Sequence, residues 1–238
     1  MMYYLVPMKD QSDFGFGMMA STFLHGADKL KAEDKFALGF EYLPICYLKR
    51  HSLELFLKSF IILLHKNYEI NYGDTPFTSD KPKYQNNKGE WQDLYKEHDL
   101  SKLFQHFKSI LDLHRDDVAE KTMVSDWPFF NEDYLDSINE ITDYDNHSDF
   151  FRYPMSKDKA KDGHKQLAKK VSFDEALEIT KKQKGMFLAV ENSVGDIKSL
   201  YSTQSNPVID STQKILDDIA YHFDCFHTAL RVTMFNGL

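Results

Sequence analysis

Hydrophobic positions recur at helical spacing along most of this chain. Phe14, Met18, Met19 and Phe23 share one side of residues 11–31, which predicts a first amphipathic helix. A second, strongly apolar helix is predicted over about residues 41–66. Asp99 is placed to cap a third through residue 113, and Asn131 a fourth through about residue 142. The run Ser172-Phe-Asp-Glu175 fits a capping box and opens a long helix to about residue 201. Asn206-Pro207 sets an N-cap and a first-turn proline before a last helix through about residue 235. Two polar stretches interrupt the pattern. Residues 67–97 read as a long loop or small hairpin with its turn at 87–91. Residues 143–170 read as a functional loop with a short strand at 150–153. The expected fold is all-α: one bundle of about six helices, two long polar loops and room for a short β-hairpin, in a single domain over residues 1–238.

Composition supports helices. Ten glycines and seven prolines in 238 residues are few for the many tight turns of an all-β chain. With 42% hydrophobic, 14% aromatic and 28% charged residues, the chain has material for a sizeable core and the balance of a folded protein. Cys46 and Cys225 lie far apart in apolar contexts and read as buried free thiols of a reducing cytoplasm. Lys9, Asp10 and Asp13 follow the first residues at once, so no signal peptide is expected. The longest apolar run, residues 55–64, holds Lys58 and Ser59 and is too short to span a bilayer. The expectation is a soluble, cytoplasmic protein without a membrane segment.

A net charge of −8 argues against indiscriminate coating of nucleic acid, which needs a basic footprint. The charge is unevenly spread. Residues 126–149 hold eight acids and no Lys or Arg, whereas residues 152–184 hold ten bases and five acids. Such neighbouring runs make either a local anion site or two solvated faces.

The second helix carries the sharpest signal. At 100° per residue, Arg50, His51, Glu54, Lys58 and His65 fall within roughly a 100° stripe, and apolar side chains cover most of the remaining circle. This predicts a central helix whose charges are partly buried and therefore paired. Glu54 reaches both Arg50 and Lys58 at i, i+4 spacing. The stripe is either a salt-bridge ladder or the wall of a polar cleft where these groups meet a ligand.

Three segments resemble bacterial HEPN-like proteins. The run from Tyr42 through Arg50-His51 to Glu54 and Lys58 looks like their second helix. His98-Asp99-Leu100-Ser-Lys-Leu103 is similar to the start of the next, and Asp149-Phe-Phe-Arg152-Tyr153-Pro154 resembles a further short motif. The resemblance implies a helical bundle, often a homodimer, in bacterial defence or toxin–antitoxin systems, with an antitoxin or nucleotidyltransferase-like protein as partner. Many members cut RNA without a metal or cofactor, using an Arg followed four to six residues later by His. No Arg of this chain has a His at that distance, and Arg50-His51 has another spacing. Other members are non-catalytic binding modules.

Metal-free RNA cleavage needs a base for the 2′-hydroxyl proton, an acid for the leaving oxygen and a cation on the phosphate. Arg50, His51 and His98 are the candidate catalytic residues; Glu54, Lys58, Arg152 and Tyr153 are candidates for binding. No metal site is expected. Asp143-Tyr-Asp145-Asn-His147-Ser-Asp149 alternates ligand types, but Ser148 and Pro154 stand where a calcium loop has Gly and Glu, so a solvated acidic loop is the plainer reading. His227 and Arg231, at i, i+4, are placed to line a cleft, His106 and His114 read as helix-surface residues, and Trp91 and Trp127 as loop anchors. Two functions follow as expectations. In one the chain binds RNA or a nucleotide in a cleft of Arg50, His51, Glu54, Lys58, His98 and Arg152, and acts as a metal-independent ribonuclease. In the other it is a non-catalytic interaction module in which the same residues form a structural network.

Overall fold

A computed structural model describes residues 5–32, 42–153, 155–165, 168–182, 186–203 and 207–237. Among these are seven helices: α1 (Phe16–Ala32), α2 (Tyr42–Asn67), α3 (Leu100–Leu113), α4 (Arg115–Thr122), α5 (Asp133–Asp145), α6 (Phe173–Lys182) and α7 (Pro207–Met234). There are also five strands: β1 (Lys83–Gln85), β2 (Trp91–Asp93), β3 (Ala168–Val171), β4 (Phe187–Glu191) and β5 (Ile197–Thr203). Antiparallel β1 and β2 form one hairpin, and the other three form an antiparallel sheet in the order β3-β5-β4. The all-α expectation is thereby corrected: the fold is helix-dominated but mixed.

The correction falls mainly on residues 172–201. The capping box is present, with the Ser172 N–H donating to Glu175 Oε2 (2.7 Å) and the Glu175 N–H to Ser172 Oγ (3.2 Å). The helix it opens stops at Lys182, and the chain then forms the β4–β5 hairpin instead of one long helix. Residues 150–153 form a turn, not a strand, and α4 lies where no helix was expected. Glu132, without a side-chain cap bond, precedes α5 in place of Asn131. Asn206 and Pro154 lie outside the described residues.

α2 is the axis of the bundle. It packs against α1, α7 and α3, and α5 packs against α3 and α7. Every residue of α2 from Lys49 to His65 is buried except His51. Aromatic side chains fill the centre: Phe60 meets Phe107 at 5.2 Å and Phe226 at 5.1 Å, and Phe226 meets Phe129 at 4.6 Å and Trp127 at 5.0 Å. Such aromatic pairs contribute about 0.5–1.5 kcal/mol each beyond their area.

The entry to α1 is held by Asp13, which is 2% exposed. Its carboxylate accepts the Gly15 and Gly17 N–H groups (3.0 and 2.7 Å) and the Ser59 hydroxyl of α2 (2.6 Å), and it lies 3.4 Å from His227 Nε2 of α7. Burial works against the charged form, but His227, Ser59 and the Gly17 N–H outweigh it and hold the Asp13 pKa below the usual carboxylate value. A Cβ on Gly17 would sit 1.9 Å from His227 Nε2, so the close approach of α1 to α7 requires glycine there.

The His65–His106 pair lies deeper than its sequence suggested. His106, expected on a helix surface, is buried with its Nε2 3.2 Å from Nε2 of His65. Trp91 closes over this pair, with its ring 6.0 Å from His65 and 5.7 Å from His106. Cys46 is buried, Cys225 half-buried, and both are free thiols. Among the described residues no helix is long and apolar enough to cross a membrane.

Candidate functional site

The charged stripe of α2 turns inward. Arg50 is 0% exposed and every face of its guanidinium meets protein. Nη1 donates to Glu54 Oε2 (2.5 Å), Nη2 donates to the carbonyls of His98 and Asp145, and Nε lies 3.3 Å from Asp145 Oδ2. Lys58, 2% exposed, donates to Glu54 Oε1 (2.9 Å) and to the Tyr95 carbonyl (3.3 Å). Burial raises the Glu54 pKa, but Lys58, Arg50 and His98 overcome it and bring it to about 2. One buried carboxylate thus ties α2 to the start of α3, and Arg50 extends the tie to the end of α5.

Asp145 completes the frame. Besides meeting Arg50, its Oδ1 accepts the Asp149 and Phe150 N–H groups (2.7 and 2.9 Å) and so fixes the turn after α5. The acidic loop is therefore not simply solvated, since Asp145 and Asp149 are both buried, while His147 is exposed. Among the described residues no group of three or more His, Cys, Asp or Glu side chains is placed to hold a metal ion.

The other predicted residues lie apart from this network or at its rim. His98 is half exposed, and its Nδ1 is 3.0 Å from Glu54 Oε1. It meets Arg50 through its backbone carbonyl, not through its ring. His51 points away from the ladder. Its ring stacks on Tyr47 (5.9 Å, 6° between planes) and meets Phe23 edge-on (4.7 Å). Burial, with Arg50, Lys58 and Arg152 nearby, pushes the His51 pKa down against the opposing pull of Glu54. The ring is thus neutral at neutral pH.

Arg152 and Tyr153 are exposed. The Arg152 guanidinium lies over the Tyr47 ring (5.3 Å) and near the Tyr153 ring (5.8 Å), and no carboxylate among the described residues pairs with it. Tyr47, His51 and Leu55 recur at i, i+4, i+8; Tyr47 and His51 are half-buried at the rim of α2, and His51 and the buried Leu55 line a neighbouring pocket. The pocket, about 350 Å³, is walled by Phe16, Met19, Phe23, Leu55 and Tyr95, with His51 at its edge. The sequence pattern pointed to the stripe of Arg50, His51, Glu54, Lys58 and His65 as the ladder or cleft wall. The real edge is one residue further round the helix, and only His51 belongs to both sets.

A second, polar cleft of about 530 Å³ lies between α1 and α7. His227 and Arg231 do line it, with His25, Asp28 and Asp224. Asp224 accepts the Ser21 hydroxyl (2.8 Å), and the Arg231 guanidinium donates to the Gly237 carbonyl (2.6 Å). No protein-family model, curated protein or solved structure matches this chain.

Proposed function

We propose that this chain is a HEPN-like helical module that binds RNA or a nucleotide without cutting it. One contrast carries this reading: Arg50 is fully enclosed, with both Nη groups bonded inside the protein and Nε in an ion pair, whereas Arg152 stands exposed between two tyrosine rings. A cation that stabilises a phosphate must be within its reach, and Arg50 is 0% exposed, its Nη donors given to Glu54, Asp145 and His98. Arg50, Glu54 and Lys58 are framework. The contact surface is Arg152, Tyr153 and Tyr47, with His51 beside them.

The chemistry of that surface suits a base and its phosphate. Guanidinium planes and tyrosine faces stack on unpaired bases, and the same guanidinium reaches a phosphate oxygen. The protein carries a net charge of −8, so this patch is a local foothold that takes a short single-stranded segment, not a duplex track.

Fluorescence anisotropy with a labelled ten-nucleotide RNA tests this. Arg152→Ala and Tyr153→Ala should each weaken binding by about tenfold, the factor carried by about 1.4 kcal/mol. Wild-type affinity in both variants would remove the surface from the account.

A further inference from the structure

Resting on that reading, we infer that the pocket beside His51 is a slot for one nucleobase, placed so that the attached phosphate reaches Arg152. The walls are the first support. Phe16 and Tyr95 stack on each other at 5.5 Å along one side, and Phe23, Met19 and Leu55 supply the rest. A volume of about 350 Å³ lies at the small end of ligand pockets, which suits a single planar ring system rather than a long chain. Flat aromatic walls favour a flat guest, because stacking is stronger than contact with a flexible aliphatic chain of equal area.

His51 supplies the polar element. Its Nδ1 is buried and has no hydrogen-bond partner. A bare lone pair is the less costly thing to leave unmet there, so the neutral ring carries its proton on Nε2. His51 then offers one N–H donor at the edge of an otherwise apolar slot, the feature that orients a ring bearing nitrogen or carbonyl acceptors. A purely hydrocarbon guest would leave that donor unmet.

The cation is the third part. From His51 the rings run to Tyr47 at 5.9 Å, and the Arg152 guanidinium lies 5.3 Å from Tyr47. A guest ring held at His51 therefore has an exposed cation, one without a carboxylate partner among the described residues, two ring contacts away. Slot, donor and cation together match a nucleoside monophosphate or one nucleotide of an RNA strand.

Calorimetric titration of the full chain with AMP, adenosine and ribose 5-phosphate separates the parts. AMP should bind at least tenfold more tightly than either fragment. Met19→Trp, which fills the slot, should abolish binding of AMP and adenosine. His51→Phe, which keeps the stacking and removes the donor, should weaken AMP about tenfold, and thermal melting checks that both variants fold. AMP binding unchanged in both variants, or absent while the labelled RNA still binds, overturns the slot and leaves the RNA-binding surface standing. Failure of both AMP and RNA to bind overturns the two together.

Discussion

Arg50→Met should lower the unfolding free energy by about 3–5 kcal/mol, the cost of stripping one partner from a buried ion network. The reason is local. Without the guanidinium, Glu54 Oε2 and Asp145 Oδ2 remain as buried anionic oxygens, and the carbonyls of His98 and Asp145 lose a donor. Water cannot reach them, because the side chains of Glu54 and Asp145 are 2% and 0% exposed. Three elements then lose their common tie: α2, the start of α3 and the end of α5. Arg152→Ala is the control. It removes an exposed cation with no carboxylate partner, and should change stability by no more than about 0.5 kcal/mol. Urea unfolding of the three proteins reads both effects, and a wild-type midpoint for Arg50→Met would end the framework assignment.

Acid should destabilise the protein before its carboxylates begin to titrate, and the His65–His106 pair is the reason. His65 Nδ1–H donates to the Ile70 carbonyl (2.7 Å), which leaves Nε2 as an acceptor facing His106 Nε2 at 3.2 Å. His106 must then donate, so the contact holds one proton between the two Nε2 atoms, and protonating the acceptor would set two N–H groups against each other. Burial lowers the pKa of His65 to about 4 and of His106 to about 3. A folded-state pKa below the unfolded value of about 6.5 means the contribution is intact above pH 6.5 and falls as pH drops below it, because the unfolded chain gains protons the native state refuses. From pH 7 to pH 5 the loss is about 2 kcal/mol per histidine. Glu54, held near 2, has its stabilising effect above the ordinary carboxylate range and loses it only at lower pH. His106→Gln keeps a donor toward His65 and removes one titration, so its stability should fall about half as far between pH 7 and pH 5. Equal slopes in the two proteins would show that the pair does not set the acid response.

Several elements were legible because their signals are local. Asp99 accepts from the Ser101 and Lys102 N–H groups as a capping residue should, and the Ser172–Glu175 box is formed. The strands beyond that box went unread, although their turn repeats one that was noticed. Asn86 and Asn192 each accept two backbone N–H groups through the side-chain oxygen, and Gly89 and Gly195 follow three residues later at positive φ (78° and 92°). Asn-x-x-Gly followed by an acid, with β-prone residues on both sides, was the available signal for the β4–β5 hairpin.

The site was half legible. Helical projection identified α2 as central and Glu54 as the partner of both Arg50 and Lys58, since those facts depend on spacing alone. It did not show which arc of a mostly buried helix stays open. That depends on where the segment before α3 and the end of α5 lie, and they cover Arg50 while leaving His51 half-buried at the rim. The pocket walls come from α1 (Phe16, Met19, Phe23), α2 (Leu55) and the distant Tyr95, so no single stretch announced them.

The central claim is that this chain holds RNA and leaves it whole. A labelled single-stranded RNA, incubated with excess protein and a metal chelator, is divided between a native gel and a denaturing gel. The account predicts a retarded band on the first and full-length RNA on the second. Shortened fragments that vanish with His98→Ala or His51→Ala, both folded, would contradict it and make this a metal-independent nuclease.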